Sequence, residues 1–327
     1  MRNLQKLNQT LTKLFPFLIM AGLIGGIFLG ESIIFLQFLV PFIFGFVTFI
    51  GSLNMNFNAF KSTLLNPLPI LCVLVVLRIL MPLWALLVGS LLFQNDVYTT
   101  TGLILFALLP TGINSAVWVI MYKGNIPLSL SVILIDTLLS PFVLPLSLAL
   151  LTGQNIEMNV TSLMTSLVQM VVIPSLLGML LNQLTKGGVT RKWSPKLAPL
   201  AKIGLIIVVI INGAMVAPYF TTIDFNLILI MASILFLSLS GYLFSWVIAN
   251  LLKLKREETV TSVFTGGMRN VSTGIVIAVA HFPSQVAVPV ITAILFQQTI
   301  NAVLGQLMER YYLKKAAKEY LTKQVME

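Results

Sequence analysis

Three ionisable residues stand where an apolar chain is least able to hold them. Arg78 lies in "LVVLRILMPLWALL", Asp136 in "SVILIDTLLSPFVLP" and Arg269 in "VFTGGMRNVSTGIVIAVA". A guanidinium carries a permanent charge and five donors, so it can hold a carboxylate or an anionic ligand. A carboxylate among such cations has two open readings: it neutralises one of them as a simple ion pair, or it carries a proton whose release is set by burial and neighbouring charge. Two cations against one anion leave an excess of positive charge, which suits an anionic ligand. Two further clusters bear on the same chemistry, "LLPTGINSAVW" (108–118) and "VFTGGMRNVST" (263–273). Each sets an apolar pair before Thr-Gly and follows it with a polar, Asn-containing group: Asn114 and Ser115 in one, Arg269 and Asn270 in the other. Pro110 and Gly112, and Gly266 and Gly267, weaken the helical ladder there. A helix broken at such a point exposes a half-helix N-terminus, whose free N–H groups favour an anion. A lone Pro-x-Gly in a membrane helix is more often a plain kink; the paired occurrence is what points to function.

The elements that position these residues follow from composition. The chain has 327 residues, 57% hydrophobic and 9% charged, with a mean hydropathy of +0.98. Soluble domains carry about a quarter charged residues, so an ordinary soluble protein is excluded. A helix needs roughly 20 apolar residues to span a bilayer. Such runs fall at 14–30, 32–52, 67–93, 98–122, 126–152, 158–183, 199–219, 226–252, 259–281 and 285–308. The first run ends at Glu31 without a cleavage pattern and reads as a membrane helix, not a signal peptide.

Charge tests that count. Alternate connections carry Arg2, Lys6 and Lys13; Lys61; Lys123; Lys186, Arg191, Lys192, Lys196 and Lys202; Lys253, Lys255 and Arg256; and Arg310, Lys314, Lys315, Lys318 and Lys323. The intervening connections carry Glu31, Asp96, Glu157 and Asp224 and no Lys or Arg. The positive-inside rule then puts both termini in the cytoplasm. The net charge of +10 thus reports topology, and nucleic acid is not an expected partner. Arg78, Asp136 and Arg269 come ten to twelve residues into helices that start on the basic side, about 15–18 Å deep. Charges at that depth face a bundle interior or a water-filled path.

Ten spans divide into two halves of five, 1–157 and 158–327, and an odd number per half inverts the second relative to the first. The two breaks then occupy the fourth span of each half and enter from opposite sides, meeting near mid-membrane. The single cysteine, Cys72, reads as a small buried hydrophobe. No P-loop, HExxH or GxSxG motif and no cluster of histidines or paired aspartates points to an enzyme.

The chain resembles the bile acid:sodium symporter family, which includes bacterial carriers of bile acids, pantoate and related organic anions. The resemblance runs over "FGFVTFIGSLNMNFNAF", "RILMPLWALL", "PTGINSAVWVIMYKGN", "LSPFVLPLSLALL", "IPSLLGMLL", "FTGGMRNVSTGIVIAVAHF" and "AILFQQTINAVLG", in order and at similar spacing. It implies an all-α, ten-helix carrier with crossed broken helices 4 and 9. A panel of helices 1, 2, 6 and 7 would move against a core of helices 3–5 and 8–10. It implies alternating access, a small organic anion as substrate, no cofactor, a monomer in the lipid bilayer and a bacterial inner-membrane location. By position, substrate contacts fall on Thr111, Gly112, Ile113, Asn114, Arg269, Asn270 and Asn301. Ion and coupling positions fall on Arg78, Ser115, Ser129, Asp136, Thr265 and Arg269.

The sodium ligands are replaced. Where the family reads Glu-Val-Gly-Met-Gln-Asn this chain has Thr265-Gly266-Gly267-Met268-Arg269-Asn270, and the expected third-span glutamine falls on Leu77. An expected Ser-Asn pair is Ser115-Ala116, and an expected threonine is Ile133. A hard cation wants several oxygen ligands, and a guanidinium in their midst repels it, so Na⁺ coupling is not expected; Arg269 as a substitute cation and H⁺ coupling through Asp136 take its place as hypotheses. Rival readings are an exporter resembling the auxin efflux carriers, a passive channel and a non-transporting sensor.

Overall fold

The structure, a computed structural model, describes residues 2–55, 67–153, 158–220 and 224–326. Lys61 and Glu157 lie outside the described residues, as does the end of the first half at 157. Every regular element among the described residues is helical. In chain order these are α1 (Arg2–Leu29), a 3-10 segment (Gly30–Leu39), α2 (Val40–Ser52), α3 (Leu68–Leu92), α4 (Val97–Leu108), α5 (Ser115–Met121) and α6 (Ile126–Thr152). There follow α7 (Val160–Leu184), α8 (Gly188–Lys192), α9 (Ser194–Phe220), α10 (Phe225–Leu251), α11 (Arg256–Gly267), α12 (Val271–His281) and α13 (Ser284–Met326).

Among the described residues, seven stretches are long and apolar enough to cross a membrane, and eight if Ser284–Gln297 and Thr299–Tyr312, bent by 44°, form one span. The chain is an all-α polytopic membrane protein. The difference from ten expected spans arises in two places: the first two share one helical stretch, Phe17–Ser52, and the fourth is divided into the short helices α4 and α5.

The Phe17–Ser52 stretch is not straight. Gly26 lies against Ile210 of α9, while Ile43 and Val47 lie against Gly204, less than two turns away on that helix. The 21 residues from Gly26 to Val47 would extend about 32 Å as a straight helix, so the chain doubles back. Gly30, at φ 49°, supplies the left-handed residue that ends α1.

Prolines shape the long helices predictably. α3 holds a π-turn at Val76–Leu80 and α7 another at Val168–Val172, and each is followed two residues on by proline, Pro82 and Pro174. Proline cannot donate to the carbonyl four residues back. The preceding residue shifts register instead, so that Met81 donates to the Val76 carbonyl and Ile173 to the Val168 carbonyl. The first of these π-turns contains Arg78.

Helices α1, α2, α7 and α9 pack on one another, while α3 packs on α4, α10 on α11, and α13 on α4, α10 and α12. One large apolar cluster joins both groups, including Phe44, Leu167 and Val208 from the first and Leu105, Ile277 and Ile291 from the second. A smaller one brings Met55 and Met179 against Ile133 and Leu134, with Ile113 packed on it.

Candidate functional site

Pro110 explains the first break. A residue before proline is pushed out of the helical region, and Leu109 accordingly turns to φ −57°, ψ 141° as α4 ends. The chain resumes helix only at Ser115, whose N–H closes a turn onto the Gly112 carbonyl. The second break lies at Met268, Arg269 and Asn270, after α11 and before α12. Gly266 and Gly267 do not break the helix as the sequence reading had it; they are its last two residues. Their role is close approach: a Cβ on Gly267 would overlap the ring of Tyr242, and one on Gly266 would overlap Ser245.

The two breaks touch. The Asn270 N–H donates to the Pro110 carbonyl at 2.7 Å, and the Thr111 hydroxyl donates to the Thr265 carbonyl at 2.6 Å. A Cβ on Gly112 would stand 3.3 Å from the Arg269 carbonyl, so glycine there admits the second segment. The Pro110 carbonyl and the Asn270 N–H, freed by the two breaks, thereby satisfy each other inside the protein, as an apolar surround demands.

Arg78 and Asp136 complete the first break. Arg78 Nε donates to Asp136 Oδ1 at 2.7 Å and its Nη1 to the Leu108 carbonyl at 2.8 Å. Asp136 Oδ2 accepts the Thr111 N–H at 2.7 Å. The carboxylate is 0% exposed and the Arg78 side chain 8%. Both Asp136 oxygens are engaged, and the pair splints the two sides of the break: the guanidinium holds the end of α4, the carboxylate holds the segment beyond Pro110.

Arg269 is the most voluminous of the fully buried side chains among the described residues, 1% exposed. Its Nε donates to the Ala107 carbonyl at 3.2 Å and its Nη1 to the Gly266 carbonyl at 2.8 Å. These carbonyls belong to the last turns of α4 and α11, so one guanidinium ties together the C-terminal ends of both broken helices. Its Nη2 makes no hydrogen bond. Its backbone N–H reaches Gln297 Oε1 at 3.3 Å.

Of the residues named from sequence, Thr111, Gly112, Thr265, Arg269 and Asn270 converge, with Arg78 and Asp136 beside them. Ile113 packs outward against Gly51 of α2, and Asn114 is exposed. Asn270 also caps α12, accepting the Thr273 N–H at 3.3 Å. Asn301 is completely buried and stands one step back: it accepts the Tyr242 hydroxyl at 2.7 Å and donates to the Gln297 carbonyl at 2.8 Å. The Thr265 hydroxyl is turned to the Thr261 carbonyl, leaving only its own carbonyl for the neighbouring segment. Ser115 and Ser129 are fully buried with hydroxyls that make no hydrogen bond, which leaves them free for a small polar ligand or water. Tyr242 and Gln297 were missed. Polar side chains inside apolar runs were their signal.

The chain is similar to known proteins along most of its length. A profile of the SBF-like CPA transporter family matches residues 31–313. Over 299 residues the chain is 46% identical to Uncharacterized protein YbaS of Bacillus subtilis, covering 91% of this chain and 98% of that one. It is 27% identical over 276 residues to Uncharacterized sodium-dependent transporter YocS of the same organism, covering 84% and 83%. To Probable sodium/metabolite cotransporter BASS1, chloroplastic, of Oryza sativa subsp. japonica, it is 29% identical over 230 residues, 70% of this chain and 55% of that one. With broken helices meeting in a multi-pass bundle and a match over most of its length, the chain belongs to the SBF-like CPA transporter family.

Proposed function

We propose that this transporter carries a small organic anion, a carboxylate of the bile acid or pantoate kind, by alternating access, with the anion held where the two breaks meet. The observation that carries the reading is the buried charge count. Asp136 neutralises Arg78, while Arg269 sits 1% exposed with an unused Nη2 donor and faces only carbonyl dipoles through its side-chain hydrogen bonds. One positive charge is left over beside broken backbone, and a monoanion balances it. Asn270, half-buried at the head of α12, supplies a second polar group at the same place.

The packing supports a two-part motion. Helices α1, α2, α7 and α9 act as the panel, and the helices around the breaks act as the core. The small cluster of Met55, Met179, Ile133, Leu134 and Ile113 is the thinner seam between them and the one that parts on the basic side. Asp136 is a positioning residue, since both oxygens are committed to holding the break. In this reading the protein works as a monomer in the bacterial inner membrane with both termini cytoplasmic.

Purified protein in liposomes tests the reading. Saturable uptake of a radiolabelled carboxylate, accelerated by the same unlabelled compound trapped inside, is the expected result. Uptake that never saturates would indicate a channel, and binding without flux a sensor.

A further inference from the structure

The relatives YocS and BASS1 are named for sodium, so the residues here must be asked whether they fit that ion. In transporters with discontinuous helices, coupling cations sit on unwound carbonyls and on the C-terminal ends of half-helices, where free carbonyls and the negative dipole end converge. In this chain those positions are taken. The last turn of α4 offers the Ala107 and Leu108 carbonyls, which accept from Arg269 Nε and Arg78 Nη1. The last turn of α11 offers the Gly266 carbonyl, which accepts from Arg269 Nη1 at 2.8 Å, with the Met268 carbonyl at 3.5 Å from the same nitrogen. The carboxylate nearest the break, Asp136, is already held by Arg78 and the Thr111 N–H. The Thr265 hydroxyl is turned into its own helix. A sodium ion placed among these carbonyls would lie against a buried guanidinium, and like charges at hydrogen-bond distance in a low-dielectric site repel strongly.

We infer that Arg269 is a tethered cation: its guanidinium takes the place that a dissociable coupling ion would occupy between the two half-helix ends, so the carrier assembles its crossing without sodium. This rests on the carrier reading for its meaning but not for its test, which needs no substrate. A dissociable ion must be rebound in every cycle, whereas a tethered one is always present, and the structural consequence is a crossing whose stability does not depend on the cation in solution.

The test is thermal unfolding of the purified protein in detergent, with sodium chloride exchanged for choline chloride at constant ionic strength. The wild-type melting temperature is expected to be the same in both salts. Arg269→Ala removes the cation and leaves the carbonyls facing one another; it is expected to melt lower in choline chloride and to recover part of the loss in sodium chloride or with millimolar methylguanidinium. Arg269→Lys keeps a tethered charge and is expected to stay indifferent to sodium, which keeps the comparison informative if the alanine variant does not fold. A wild-type protein that sodium stabilises selectively over choline would overturn the inference, placing a dissociable site elsewhere, for instance on the unpartnered Ser115 and Ser129 hydroxyls. An alanine variant as stable as wild type, or destabilised but answering to neither cation, would overturn it as well, since the guanidinium would then be acting as packing alone. A sodium-indifferent protein that shows no saturable uptake leaves the tethered cation standing and defeats only the carrier reading.

Discussion

Asp136 accepts the backbone N–H of Thr111 at 2.7 Å, across 25 residues of chain and at 0% side-chain exposure. A carboxylate in the middle of one helix thus caps the broken end of another, and its second oxygen brings Arg78 to the other side of the same break.

Removing both members of this pair should therefore cost less than the sum of removing each alone. Asp136→Leu leaves Arg78 buried without its counter-charge, and losing one partner of a buried pair typically costs about 3–5 kcal/mol. Arg78→Leu leaves the carboxylate in the same position. The double variant Arg78→Leu with Asp136→Leu loses no more charge balance than it removes, so its destabilisation should fall short of the sum by about 0.5–3 kcal/mol. Thermal or denaturant unfolding of the four proteins measures the shortfall; strict additivity would show that the two residues do not act as a unit.

Close packing of α11 on α10 makes a second, separable prediction. Gly267→Ala forces a methyl group into the Tyr242 ring, and overpacking of this kind costs about 1–3 kcal/mol. Tyr242→Phe keeps the ring and loses only its hydrogen bond to Asn301, worth about 1 kcal/mol. The glycine variant should thus melt below the phenylalanine variant, and the reverse order would mean that the hydroxyl network, not the ring contact, sets the second break.

The parts of the site that could be read from sequence are those where physics leaves few choices. A charge in an apolar run is costly wherever it falls, so Arg78, Asp136 and Arg269 announce themselves, and Pro110 dictates that Leu109 leaves the helix. The glycines of the second break were harder. Gly266 and Gly267 read as breakers, yet they end a regular helix, because their partners Tyr242 and Ser245 lie on a distant segment and a glycine shows neither its neighbour nor its φ. Register shifts such as the π-turn at Arg78 depend on a proline four residues downstream and are visible only once that pairing is considered. The Thr111 N–H that Asp136 accepts is a backbone partner, which no side-chain pattern encodes. The reversal at Gly30 falls where the sequence reading ended one span and began the next, at Glu31, although the left-handed backbone of the glycine was not part of that reading.

The seam between Ile113 and Gly51 offers a test of motion. A Cβ on Gly51 would lie 3.2 Å from Ile113 Cδ1 and 3.9 Å from its Cγ2, so the two positions face each other across the seam. Gly51→Cys with Ile113→Cys is expected to cross-link under mild oxidation and to arrest uptake in liposomes, with activity returning on reduction. Full transport by the cross-linked protein would show that these surfaces do not separate during the cycle.

The most direct test of the anion site is a binding comparison that changes charge and nothing else. Purified protein is heated in choline chloride with a panel of bile acids, pantoate-like hydroxy acids and short monocarboxylates, each beside its methyl ester. Binding to the folded state adds RT ln(1 + [L]/Kd) to stability, about 2.7 kcal/mol at a hundredfold excess over Kd. An uncompensated Arg269 predicts a saturable rise in melting temperature with at least one acid and none with its ester. Equal stabilisation by acid and ester, or by no acid in the panel, would contradict an anion site at the crossing.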